Sequence, residues 1–219
     1  LFFPLTILSL FLPLTSGLFF IHAAKVFIFA FFTFQYLRSV RLSKRASFLG
    51  AMAASFSSFF LTWLLWPHTN VFIFLPILFL IVEKIIIARR KTYLYIVFSL
   101  CTALAFFGGH PETLFQIGIV VTSYCFFRFS NSRRTLLKTL FFGLLGILLT
   151  SIQLIPFLEY LFHSTAWINR TAFASQSLPF SSVILNIFPF LLGAPHLNFY
   201  RSISGTNFQE SAGGYVGIV

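Results

Sequence analysis

Long apolar runs separated by short polar breaks fill the chain from Leu1 to Tyr160. A helix that crosses a bilayer needs about 20 predominantly apolar residues. The pattern predicts seven passes, over 1–15 (cut by Pro4 and Pro13), 17–37, 46–66, 71–88, 92–107, 113–127 and 139–160. The fifth and sixth are short, so their ends are expected to run into the flanking loops. Residues 161–214 are less apolar and rich in Ser, Asn and Pro, and read as one long loop. Within it, 181–192 is amphipathic enough for a short interfacial helix, interrupted by Pro189 and ended by Gly193. A new apolar run, 215–219, is the expected start of the next transmembrane helix. The predicted class is all-α: a polytopic transmembrane helical bundle over 1–160, with seven spans plus the start of another.

The charges orient this bundle. Most of the 15 Lys and Arg fall in three clusters: Arg38, Arg41, Lys44 and Arg45; Arg89, Arg90 and Lys91; and Arg128, Arg133, Arg134 and Lys138. These close the second, fourth and sixth passes. The breaks at 67–70 and 108–113 hold no Lys or Arg. Cytoplasmic loops of membrane proteins carry the excess of Lys and Arg, so the clustered ends are predicted to be cytoplasmic. Ser16, 67–70, 108–112 and the loop 161–214 are then exoplasmic.

Composition agrees. The chain is 58% hydrophobic and 9% charged, against about 25% charged for an average soluble domain. A net charge of +11 would suit nucleic acid, but the positive residues flank hydrophobic runs and form no basic face, so no nucleic-acid partner is expected. They read as anchors beside anionic membrane lipids. Cys101 and Cys125 both lie in apolar runs, which predicts neither a structural disulfide nor a cysteine metal site. The opening residues lack the basic start and small-residue cleavage site of a signal peptide. The chain begins at Leu1 rather than Met and ends inside an apolar run, so it is expected to be a piece of a longer protein.

The predicted topology gathers polar side chains on the exoplasmic side. His68, His110, His163 and His196 fall there, with His22 near it, and so do Glu112, Glu159 and Glu210; the chain has no Asp. In Gly108-Gly109-His110-Pro111-Glu112-Thr113, two glycines end one helix and Pro111 suits the first turn of the next. This is either a tight hairpin with a capping Glu112 or a polar site in which His110 and Glu112 bind substrate or phosphate. Trp63 and Trp66 suit the membrane interface, and His68 and Asn70 read as a plain polar turn. Gln153 and Glu159 lie toward the outer end of the last span, where polar groups are costly and therefore functional candidates, unless Glu159 simply emerges into water. Arg170 and Arg201 in the long loop are of a residue type suited to bidentate contacts with phosphate, unless each is simply a solvated loop arginine. Lys25 is expected to snorkel outward, and Glu83 with Lys84 toward the cytoplasm. No P-loop, dinucleotide fingerprint, HExxH or G-x-S-x-G occurs.

Several motifs in order, namely Phe34-Gln35-Tyr36-Leu37-Arg38, the stretch around Pro76, Gly109-His110-Pro111-Glu112-Thr113, Ser151-Ile152-Gln153-Leu154-Ile155-Pro156-Phe157-Leu158-Glu159, and Asn207-Phe208-Gln209-Glu210 followed by Tyr215-Val216-Gly217, resemble the YfhO-type bacterial membrane proteins. That family is similar to the GT-C class of membrane glycosyltransferases. The resemblance implies a multi-pass protein of the bacterial plasma membrane. It would transfer a sugar from a polyprenyl-phosphate donor to a cell-envelope glycan or lipid acceptor on the exoplasmic face. It implies substrate-binding roles for His110, Glu112, Glu159, Arg170, Arg201 and Glu210. It also implies a catalytic acidic residue in the first exoplasmic loop, which this sequence lacks, so the catalytic residue is left unnamed. No cofactor or metal ligand is identified, and a divalent metal stays open. The rival readings are a transporter or flippase of a lipid-linked sugar, which would need polar residues such as Gln35, Glu83 and Tyr124 to converge in the cytoplasmic half, and a non-catalytic membrane assembly protein.

Overall fold

The computed structural model describes residues 2–88 and 92–165, and beyond them only Ile184, Leu185, Phe188, Leu191, 193–194 and 199–200. The described chain is helical: α1 (Pro4–Ser9), α2 (Leu14–Ser39), α3 (Lys44–Ser55), α4 (Ser58–Thr62), α5 (Pro67–Phe72), α6 (Phe74–Ala88), α7 (Thr92–Phe107), α8 (Pro111–Arg128), α9 (Arg133–Leu148) and α10 (Ser151–His163). A two-residue antiparallel pairing, β1 (Gly193–Ala194) with β2 (Phe199–Tyr200), is the exception. The predicted interfacial helix over 181–192 and the apolar start at 215–219 lie outside the described residues.

Among the described residues, two helical stretches are long and apolar enough to cross a membrane, Leu14–Ser39 and Pro67–Ala88; α9 and α10 make a third if they are one bent span. α7 is apolar but shorter, and α8, which carries Glu112, Gln116 and Arg128, does not meet the same measure. Three passes differ from the sequence expectation. The first holds only the six-residue α1, because Pro13, in an extended conformation, separates it from α2. The third breaks after Ser55, where Ser57 turns extended before α4. The seventh breaks at Leu149 and Thr150. There the Thr150 hydroxyl donates to the Ile147 carbonyl at 2.6 Å, a local bond that competes with the helix ladder.

Proline sets the other boundaries. Pro4, Pro67 and Pro111 occupy the first helical turns, where the missing N–H costs nothing. Pro76 has no N–H for the Phe72 carbonyl, which accounts for the interruption at Ile73 between α5 and α6.

Contacts divide the chain into two units, Leu1–Met52 with Leu64–Ile152, and Ala53–Trp63 with Gln153–Val219. The second unit holds α4 and nearly all of α10. The first unit holds the bundle. Its ring contacts give the helix directions. Phe29 meets Phe72 at 5.4 Å and Tyr36 meets Phe79 at 5.2 Å, so α2 runs parallel to α5 and α6. His68 meets His110 at 3.8 Å and Phe79 meets Tyr124 at 4.5 Å, so α8 runs the same way. α7 returns antiparallel, and α9 lies parallel to α7, with Tyr95 against Phe142 at 5.6 Å. One end of this unit carries His22, Lys25, His68 and His110. The other carries Arg38, Glu83 and Arg128.

The most extensive helix pairing in this unit joins α7 and α9. Gly146 makes it possible: a Cβ there would lie 2.4 Å from the Ser99 carbonyl oxygen and 2.8 Å from Thr102 Cβ. Small residues let helix backbones approach where apolar burial alone cannot drive association in lipid.

α2 ends in a reverse turn in which the Leu42 N–H reaches the Leu37 carbonyl and the Arg41 N–H the Arg38 carbonyl. Arg41 sits there at φ 70°, in the position usually taken by glycine. An L-residue in this region carries strain of about 1 kcal/mol. Arg41→Gly is therefore expected to raise the melting temperature of the detergent-solubilised protein slightly. A lower melting temperature would mean that the Arg41 charge contributes more than its backbone costs.

Candidate functional site

The candidate site is built on the turn between α7 and α8. Gly109 takes φ 87°, which only glycine adopts without strain. Gly108 lies against Val71, whose side chain would be 2.8 Å from a Cβ. The Asn70 amide donates to the Gly108 carbonyl at 3.2 Å. The turn is thus braced on α5, and this brace brings His110 over His68 with ring centroids 3.8 Å apart.

His110, rather than Glu112, caps α8. Its Nδ1 accepts from the Thr113 backbone N–H at 3.1 Å and lies 2.8 Å from the Thr113 hydroxyl. Accepting from a backbone N–H requires the Nδ1 lone pair, so the proton sits on Nε2, the ring atom suited to donate to an oxygen. Glu112, next in the turn, is exposed and adds a carboxylate to the first turn of α8, where the helix dipole favours negative charge.

Beneath this turn lies Lys25, only 1% exposed. It does not snorkel into solvent. Its ammonium donates to the Leu64 carbonyl and to the Thr69 hydroxyl at 3.0 Å, and Thr69 in turn donates toward the Leu64 and Trp66 carbonyls. The amine does reach the predicted exoplasmic end, but it ties α2 to the chain entering α5. His22 stands one turn earlier on α2, beside Lys25 and the Leu64 carbonyl. The segment 67–70 is therefore no plain polar turn: Thr69, His68 and Asn70 contact α2, His110 and Gly108 respectively.

A second polar knot holds the opposite end. Glu83 is 2% exposed, so it does not snorkel, whereas its neighbour Lys84 is exposed. Arg128 donates through Nε and Nη2 to the two Glu83 oxygens, each at 2.6 Å. Tyr124 donates to Glu83 Oε1 at 2.5 Å, and Tyr36 donates to Tyr124 at 3.2 Å. A bidentate guanidinium and a phenol satisfy the carboxylate, as a buried charge requires. Glu83 and Tyr124, two of the three residues whose convergence bears on a transport path, thus do meet.

Of the remaining candidates, only Glu159 falls among the described residues. Glu159 lies on α10 in the second unit and is exposed; the His163 ring approaches the Glu159 backbone carbonyl at 2.9 Å. Arg170, Arg201 and Glu210 lie outside the described residues. Among the described residues, no group of three or more His, Cys, Asp or Glu is placed to hold a metal.

Sequence reasoning singled out His110 and Glu112 but not the grouping of His110 with His68 and Lys25. The available signal was matched depth. Lys25 and Thr69 each lie a few turns before the polar residues Tyr36 and Glu83 at the opposite end, so helices aligned in parallel bring both pairs level.

Compared with known protein families, with curated proteins and with solved structures, the chain matches none.

Proposed function

We propose that this chain is part of a GT-C-like membrane glycosyltransferase of the bacterial plasma membrane. In this reading it has seven spans, its basic end faces the cytoplasm and its histidine end faces outward. It transfers a sugar from a polyprenyl-phosphate donor to a cell-envelope glycan or lipid. The observation that carries the reading is the convergence of His68, His110, Asn70 and Lys25 at one end of the first unit, beside the exposed Glu112.

The chemistry follows from those groups. A lipid-linked donor lies in the bilayer with its phosphate at the interface. The His110 Nε2–H donates to an oxygen of the leaving phosphate and stabilises the charge that develops on it. Glu112 accepts from a hydroxyl of the sugar or of the acceptor. The base that deprotonates the acceptor hydroxyl is not among these groups.

The test uses the full-length protein in membrane vesicles with a polyprenyl-phosphate sugar. His110→Asn keeps the helix cap, since Asn is a good N-cap, but removes the ring nitrogen. His110→Asn and Glu112→Ala are each expected to slow transfer by about 10²-fold, the effect of losing one preorganised donor or contact. Wild-type rates in both variants would remove this end from the site.

A transporter or flippase of the same donor is the second reading, and the meeting of Glu83 with Tyr124 favours it. Ionisable groups inside a membrane commonly mark transport paths. Translocation of the donor across vesicles without sugar transfer would select it.

A further inference from the structure

Between the ends of α6 and α8 and the start of α9 lies an open pocket of about 530 Å³. Ile85 and Ile86 form one wall. Phe129 adds a further apolar side chain, and Arg128, Asn131, Ser132 and Thr135 supply the polar lining. We infer that this pocket binds the phosphate headgroup of an anionic phospholipid.

The guanidinium of Arg128 is held in place. Glu83 accepts from its Nε and Nη2 on the inner side, the side chain is 34% exposed, and among the described residues Nη1 makes no hydrogen bond. The clamp fixes the direction of the guanidinium without occupying all its donors, and a pre-oriented planar fork suits phosphate oxygens. Asn131 is exposed, and the Ser132 and Thr135 hydroxyls stand 2.8 Å apart at the rim. Exposed Arg133 and Arg134 follow immediately. Glu83, already paired, is the one acidic residue at this end among those described. The charge left over is therefore positive.

The apolar wall decides the source of the phosphate. A free phosphate ion gains nothing from Ile85 and Ile86, whereas a phospholipid places its glycerol and first acyl carbons against them. Basic pockets between membrane helices bind anionic headgroups in this way. The inference requires the chain to lie in a bilayer but does not depend on sugar transfer.

The test is lipid retention by the full chain purified in detergent and measured by native mass spectrometry. Phosphatidylglycerol is expected to stay bound at concentrations where phosphatidylcholine does not. Asn131→Glu places a negative charge in the pocket and is expected to lower phosphatidylglycerol retention about fivefold, the worth of one charge near an anionic surface. Ser130→Glu, one residue outside the pocket, is expected to leave it nearly unchanged. Equal retention of the two lipids by the wild-type chain, which no folding defect in a variant can obscure, would overturn the inference. Equal loss in both variants would do so as well, because it would reveal a diffuse charge effect. Displacement of the lipid by millimolar inorganic phosphate would overturn it by showing a free-ion site.

Discussion

Glu83→Ala is expected to destabilise the protein by about 3 kcal/mol, the lower part of the range for breaking a buried ion pair. The lower part applies because the Arg128 side chain is a third exposed and can recover some solvation. The loss is more than one bond. Arg128 Nε, Arg128 Nη2 and the Tyr124 hydroxyl all lose their acceptor together, and α6 loses its polar tie to α8. The double variant Glu83→Leu with Arg128→Met is expected to recover much of this stability, since an apolar pair of similar volume leaves no charge unpaired. Thermal unfolding of the detergent-solubilised full chain measures both. A melting temperature for Glu83→Ala equal to that of wild type would show that the knot does not hold the helices together. A double variant no better than the single one would show that the ion pair contributes stability that an apolar pair cannot replace.

The second large effect is expected at Gly146. Its replacement by leucine puts a Cβ within 2.4 Å of the Ser99 carbonyl oxygen. That atom is backbone and cannot move aside without displacing α7. Overpacking of this kind costs about 1–3 kcal/mol, and the upper end applies because two helices must separate along their main contact. Gly118 on α8 supplies the contrast, since a Cβ there meets nothing within 4 Å; Gly118→Ala is expected to raise stability by up to about 1 kcal/mol through helix propensity. Denaturation of the two variants in mixed micelles separates these expectations. Equal stability of Gly146→Leu and wild type would mean that α7 and α9 do not approach as closely as described.

The candidate site was legible in part. The turn from Gly108 to Thr113 could be read directly, because a hairpin with two glycines and a proline is a local instruction. That His110 rather than Glu112 caps α8 was not legible: both residues suit a helix start, and the choice depends on how the turn is braced. The brace is the bond from Asn70 to the Gly108 carbonyl, 38 residues away.

The same division runs through the protein. Local sequence was enough for the helical class, the apolar character of the long helices, the start of α8 at Pro111 and the grouping of basic residues around the ends of α2 and α8. Each of these follows from nearest neighbours: hydrophobic period, a missing N–H, or charge excluded from an apolar run. Three features needed the packed helices to be seen: Lys25 is buried against Thr69, Glu83 is clamped by Arg128, and the His68 ring meets that of His110. Each depends on the register of helices far apart in the chain, and a lysine or glutamate in an apolar run is compatible with reaching solvent or with finding a partner. In an apolar interior with no water to bond to, the helix that arrives alongside supplies the partner.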